Sequence, residues 1–195
     1  MRLLKMLLVL IVCAAVPAVA GPFEDGVAAY NKGDYATALH LWSPLADHGN
    51  AGAQKNLGLM YRTGEGVTRD YAAAMSWYRK AAEQGDANAQ FNLGVMYANG
   101  QSVPQNYEAA VSWYRKAAEQ GDANAQFNLG NMYATGRGGP QDSVQAHMWL
   151  NLAASKGDTD AVKVRDKVAE KMTPAQIAEA QKMAAEWKPK PEPER

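Results

Sequence analysis

The sequence predicts an all-α protein, a solenoid of about five antiparallel helical hairpins, on three observations. Gly49, Gly85, Gly121 and Gly157 recur at intervals of 36 residues, and self-similarity at such a period marks a repeat architecture. The run SWYRKAAEQGDANAQFNLG stands at 76–94 and again at 112–130, identical over 19 residues. The units are rich in Ala, Gln, Met, Leu, Lys and Glu and low in Val, Ile and Thr, which favours helix over strand. The 195 residues are 47% hydrophobic and 21% charged, with 20 Lys+Arg against 20 Asp+Glu. That balance excludes a long disordered chain or a collagen-like one. A formal net charge of +0 supplies no field for phosphate backbones, so nucleic acid is not an expected partner.

Residues 1–20 read as a cleaved export signal. Arg2 and Lys5 precede an apolar run from Met6 to Val16, and Ala18-Val19-Ala20 ends it in the small-x-small pattern of a cleavage site. Met6 to Ala20, with Pro17 inside it, falls short of the roughly 20 apolar residues that cross a bilayer, so no membrane insertion is expected after cleavage. Val12 stands before Cys13 where a lipoprotein signal would carry a small residue. Cys13 is the single cysteine of the chain. Its loss leaves no thiol, disulfide or Cys-based metal site in a compartment, periplasmic or extracellular, where disulfides persist. The loss of Arg2 and Lys5 brings the net charge to about −2.

Residues 21–48 read as an N-terminal capping hairpin, its turn between Tyr30 and Tyr35 five residues shorter than the stretch from Tyr61 to Tyr71. Three full units follow over 49–156. In each, one apolar series (Ala89, Leu93, Met96, Tyr97) and a second (Tyr107, Ala110, Trp113, Tyr114, Ala117, Ala118) keep three-and-four spacing, the mark of two amphipathic helices, with Gly100 and Pro104 in the break. Gly85 suits the close of a second helix, and Asp86 the N-cap of the next first helix. Gly58, Gly94 and Gly130 recur in mid-helix, where glycine costs roughly 1 kcal/mol relative to alanine, so another helix is expected to pass close by. Trp77, Trp113 and Trp149 are expected to wedge between neighbouring hairpins, with Tyr61, Tyr97 and Tyr133 also packing. Residues 157–187 read as a C-terminal capping hairpin: a charged helix from Asp160 to Lys171, then Thr173-Pro174-Ala175-Gln176 opening a last helix to about Trp187. The Pro-rich segment 188–195 reads as a disordered, solvated tail.

The set Ala89, Leu93-Gly94, Met96-Tyr97, Gly100, Ala110, Trp113-Tyr114, Ala117-Ala118 and Gly121 resembles the Sel1-like repeat, a relative of the tetratricopeptide repeat. Gly64-Glu65-Gly66-Val67 is similar to the inter-helix loop of that family, from which Gln101-Ser102-Val103 and Arg137-Gly138-Gly139 diverge. Residues 21–48 look closer to a tetratricopeptide unit. The resemblance implies a right-handed α/α superhelix whose first helices line a concave groove, and a protein-interaction scaffold. Exported members of the family include regulators of sensor kinases, parts of polysaccharide-secretion machinery and factors that meet host cells. A cysteine-rich branch is linked to β-lactam binding or hydrolysis, and the mature chain lacks its cysteines.

No catalytic constellation emerges from the residues, and no cofactor or metal is expected. His40, His48 and His147 are far apart and without metal-ligand spacing. Ser43 and Ser143 lack a nucleophile-elbow context. Arg137-Gly138-Gly139 reads as a repeat loop before it reads as an anion nest. Lys80 and Lys116 stand three residues before Glu83 and Glu119 on solvent-facing helix stripes. What remains is the groove, where positions vary while packing positions repeat: Lys55, Phe91, Phe127; Leu59, Val95, Asn131; Arg62, Ala98, Ala134. An extended peptide is the expected ligand, with Lys55 and Arg62 meeting a carboxylate and Phe91 and Phe127 supplying apolar contact. The alternative stays open that both phenylalanines are half-buried packing residues and both basic groups solvated. Three functional readings follow: a periplasmic or secreted interaction scaffold, which leads; a structural subunit of an envelope polysaccharide-export assembly; and, remotely, a cell-wall or β-lactam hydrolase.

Overall fold

The computed structural model describes residues 21–191, so the export signal read over 1–20 and the last four residues of the tail lie outside the described residues. Among the described residues the chain is ten α-helices and no strand. Four hairpins succeed one another: α1 (Pro22–Asn31) with α2 (Tyr35–Asp47), α3 (Ala51–Thr63) with α4 (Tyr71–Glu83), α5 (Ala87–Asn99) with α6 (Tyr107–Glu119), and α7 (Ala123–Thr135) with α8 (Ser143–Ser155). Two further helices follow, α9 (Thr159–Ala169) and α10 (Pro174–Glu186). The all-α solenoid expected from the period is the observed fold.

Local chemistry sets each helix start. Asn50, Asp86 and Asp122 sit at the N-caps of α3, α5 and α7, and their side chains accept from the backbone N–H of Ala53, Ala89 and Ala125 at 2.8, 2.8 and 2.7 Å. Each such cap contributes typically about 1 kcal/mol. Thr173 and Gln176 form the capping box expected of α10, with bonds of 2.9 and 3.3 Å. Gly85 follows α4 with φ at 99°, in the left-handed region that glycine enters without steric cost.

The mid-helix glycines are explained by what lies on them. A Cβ at Gly94 would meet the Tyr114 ring at 2.5 Å, one at Gly58 the Tyr78 ring at 2.7 Å, and one at Gly130 the Leu150 side chain at 2.7 Å. The close neighbour is therefore the second helix of the same hairpin. Tyr78, Tyr114 and Leu150 are almost wholly buried, at 0%, 3% and 0% exposure. The tryptophans one residue earlier point about 100° around the helix. Trp77 and Trp113 do pack on the cluster of the preceding hairpin, but half-buried, with the Lys80 and Lys116 ammonium groups 4.0 and 4.1 Å from their ring centroids. Those lysines thus cover aromatic faces, and among the described residues neither of them pairs with Glu83 or Glu119. Trp149 is the buried member of the set and meets Trp187 edge-on at 6.3 Å.

A polar ladder runs through this apolar seam. Gln54, Gln90 and Gln126 are buried, and their side-chain amides donate to the carbonyls of Ala46, Ala82 and Ala118 at 3.0–3.1 Å. Gln84 and Gln120 then donate to Gln54 Oε1 and Gln90 Oε1 at 2.7 and 2.8 Å, linking successive units. Lys156 occupies the corresponding register in the last unit and turns its ammonium to the Gly121 carbonyl, so Gln126 Oε1 has no partner among the described residues. Buried amides are costly unless paired, so the ladder fixes which face of each unit meets the next.

The C-terminal end departs from expectation. Residues 157–187 form two helices but not a hairpin: α10 packs on α8 and leaves α9, which lies against α7 and α8. The apolar residues of α10 decide this, since Ile177, Ala180, Met183, Ala184 and Trp187 join the cluster of Met148, Trp149 and Leu152, whereas α9 buries only Ala161 fully. The tail is corrected too over its described part. Lys190 donates its backbone N–H to the Glu119 carbonyl at 2.8 Å and its ammonium to the Glu119 carboxylate at 2.7 Å, so residues 188–191 lie along the end of α6.

Candidate functional site

The stacking gives the solenoid an inner side. α3 approaches α5, and α7 approaches α9, while α4, α6 and α8 make no comparable approach to one another. The exposed residues of these first helices face the side on which α3 meets α5 and α7 meets α9.

On that side one pocket of about 200 Å3 opens between α3 and α5, lined by Lys55, Asn56, Leu59, Asn88 and Asn92 with Tyr78 of α4 at its floor. It exists because of Lys55. At the same register, Phe91 lies on Tyr114 with ring centroids 5.9 Å apart, and Phe127 packs on the cluster of Leu150, Ala153 and Ala161. Those phenylalanines pack over their own units, whereas the long, thin lysine stem leaves a small opening above the Tyr78 side chain, which is itself fully buried. Arg62, two turns along from Lys55, donates its Nε–H to the Tyr78 hydroxyl at 3.3 Å, and burial raises that hydroxyl above the ordinary tyrosine range. It therefore stays protonated and can itself donate at neutral pH.

The structure thus places Lys55 and Leu59 in the lining of one opening, with Arg62 joined to it through the Tyr78 hydroxyl, and leaves the other expected residues apart from it. Phe91 and Val95 are half-buried against the cluster that α6, α7 and α8 share, Phe127 against Leu150, Ala153 and Ala161, and Asn131 stands half-buried on α7, its carbonyl accepting from Thr135. Asn56 and Asn92 escape a reading that looks for varying positions, because Asn56, Asn92 and Asn128 are constant in register and so resemble packing residues, while Asn88 stands at a register that reads Gly52, Asn88, Asn124. Their signal was chemical: a carboxamide repeated on an exposed first-helix stripe carries a donor and an acceptor that a core position does not need.

The histidines lie away from this opening. His48 caps α2 through the Pro44 carbonyl at 2.7 Å. His147 is buried on α8, its Nδ1 without a partner among the described residues, and burial holds its imidazole below the ordinary value of 6.5, with the Arg165 guanidinium adding to that effect and Asp166 opposing it. Because the folded pKa is depressed, the unfolded chain takes up the proton first. The neutral imidazole's contribution to stability is whole above pH 6.5 and declines as the pH falls below it, levelling off once the folded group also titrates. Thermal melting from pH 7.5 to 5 is expected to show a fall that His147→Met flattens, methionine being the residue at this register in the first unit, Met75. Parallel melting curves for the two proteins would show that His147 does not titrate in this window. Among the described residues no three His, Cys, Asp or Glu side chains gather to hold a metal ion, and no helix is long and apolar enough to cross a membrane.

A family model of the Sel1 repeat matches residues 51–86, 87–122 and 123–158. Among solved structures, the chain is similar to a Sel1 repeat protein from Oxalobacter formigenes, at 35% identity over 84% of this chain and 70% of that one, with a TM-score of 0.72. It is also similar to c5321, a protective antigen present in uropathogenic Escherichia coli strains and displaying an SLR fold, at 29% identity over 85% of this chain and 44% of that one, with a TM-score of 0.53. The chain thus spans less than half the length of that antigen. No curated protein matches it.

Proposed function

The chain belongs to the Sel1 repeat family, and on that premise we propose that it is an exported, non-catalytic scaffold holding an extended peptide segment of a partner across the inner faces of α3, α5 and α7. Sel1 repeat proteins in general act as protein-interaction scaffolds. The observation that carries the finer reading is the Lys55 pocket, where one unit breaks the apolar closure of the other two and an opening forms over the buried Tyr78, whose hydroxyl is already bonded by Arg62. An acidic side chain of the partner meets Lys55 and Arg62, the pocket amides of Asn88 and Asn92 serve its backbone, and the exposed edges of Phe91, Val95 and Phe127 with Asn131 carry the segment onward. Export rests on the composition of residues 1–20, and it places the partner in the periplasm or outside the cell.

A photo-crosslinker at residue 59 in intact cells tests the groove. A partner is expected to be captured there, and Lys55→Glu together with Arg62→Gln is expected to abolish capture while the far-ultraviolet circular-dichroism spectrum stays that of the folded parent. Undiminished capture by the double variant would overturn the assignment. Intact-mass analysis of the protein from the envelope fraction tests export: a chain beginning at Gly21 is expected, and one still carrying residues 1–20 would sink that part.

A further inference from the structure

The repeat loops hold a second departure from the common unit, independent of the Lys55 pocket. In register, Val67, Val103 and Gly139 occupy the same loop position, each after a residue of positive φ: Gly66 at 74°, Ser102 at 69° and Gly138 at 77°. Val67 packs on the core of the first hairpin and Val103 on that of the next. Gly139 offers no side chain, and a Cβ built there meets nothing within 4 Å. The result is an open slot of about 180 Å3 between α6 and the α7–α8 loop, with walls of Val111, Met132 and Tyr133 and with Arg115 and Arg137 at its mouth. For scale, a cavity of roughly 150 Å3 holds benzene.

The charge at that mouth is uncompensated. Arg115 donates to the Tyr133 hydroxyl at 2.6 Å, and Arg137 lies over the Tyr107 ring, its guanidinium carbon 5.6 Å from the centroid. Among the described residues neither guanidinium pairs with a carboxylate. The matching space in the first unit holds Glu83 beside Arg79 and Lys80, but Glu119, at the register of Glu83, is engaged by Lys190. An apolar slot beside two arginines already oriented by aromatic neighbours, and with no acid of its own, is complementary to an aliphatic group attached to a carboxylate.

We infer that this slot is a second binding site, which takes the C-terminal residue of a protein partner: an aliphatic side chain enters the space vacated at Gly139, and the terminal carboxylate is held by Arg115 and Arg137. A carboxylate in the side chain of an internal residue would present the same charge, and the probes below separate the two sources.

The test titrates the purified protein with acetyl-Gly-Gly-Leu bearing a free C-terminus, read from the amide shifts of residues 138 and 139. Saturable shifts there are expected. The C-terminal amide of the same peptide, acetyl-Gly-Gly-Gly and the amidated internal-acid peptide acetyl-Gly-Asp-Leu-amide are each expected to bind at least about tenfold more weakly. Gly139→Val, which restores the residue type of the other two units, is expected to fold as the parent does and to abolish binding. Lys55→Glu is expected to leave it unchanged. Equal affinity for the free and amidated peptides, equal or tighter binding of the internal-acid peptide, binding retained by Gly139→Val, or shifts scattered away from the slot would each overturn the inference.

Discussion

Replacing Tyr114 by alanine is expected to lower the unfolding free energy by about 3–5 kcal/mol, the range for removing a large ring from a core. Tyr114 is 3% exposed, and burial alone pushes its hydroxyl up to about 12, which marks how completely its surroundings exclude water. What faces it decides where in that range the effect falls. The ring rests on Gly94, which has no side chain to fill the vacated space, and is flanked by Phe91, one turn earlier on the same helix, which is placed to lean into it. The position within that range therefore reads how far Phe91 relaxes. Tyr114→Leu is expected to cost less than half as much, because Leu150 fills the equivalent place against Gly130 in the third unit. Urea titration followed by far-ultraviolet circular dichroism measures both. Equal losses for alanine and leucine would show that the ring's stacking on Phe91, and not its volume, matters.

Trp42→Ala is expected to have an effect of similar size, about 3–5 kcal/mol, but concentrated at one end of the molecule. Trp42 is 2% exposed, donates its indole N–H to the Phe23 carbonyl at 3.1 Å, and stacks near Phe23 and Tyr30 at 6.4 and 5.6 Å. Its loss removes the centre of the α1–α2 cluster and the indole bond that ties α2 to the α1 backbone. In a solenoid each unit is stabilised by its own packing and by its immediate neighbours. Among the described residues the α1–α2 hairpin has a neighbouring unit on one side only, where α2 meets α3 and where the Tyr30 and Tyr35 hydroxyls both donate to Glu65 of the α3–α4 loop. Hydrogen exchange is therefore expected to rise in α1 and α2 and to remain at the parent rate in α7 and α8. Uniform acceleration along the chain would mean that the array unfolds as one cooperative body.

The parts of this molecule that could be read from residues alone are those a period reports on. Gly58, Gly94 and Gly130 announce a close approach because glycine in a helix is costly without a reason, and Asp86 and Asp122 announce helix starts because their chemistry is local. Periodicity does not distinguish Trp77 from Tyr78: both satisfy three-and-four spacing, and only the direction in which each side chain leaves the helix places the tyrosine on Gly58 and the tryptophan under Lys80. The glutamine ladder was hidden for a related reason, since Gln54 and Gln90 look like surface residues until a second glutamine, thirty positions on, is brought beside each. The last helix was readable as a helix from Thr173 to Gln176, but its docking on α8 depends on long-range packing that no local motif encodes. For the inner face, variation between units led to Lys55, Leu59 and Arg62. The same criterion concealed the constant asparagines and offered Phe91 and Phe127, whose register belongs largely to packing.

The unpaired Gln126 oxygen bears on how long this array can grow. A further module copied in after residue 122 would find glutamine on both of its borders and could be accommodated as the existing middle units are. One appended beyond residue 158 would meet Lys156 where an amide is required, Val162 where the next buried glutamine should stand, and α10 already lying across the surface it needs. The chain therefore has an extensible interior and a closed terminus, and lengthening it by duplication is open at the first and obstructed at the second.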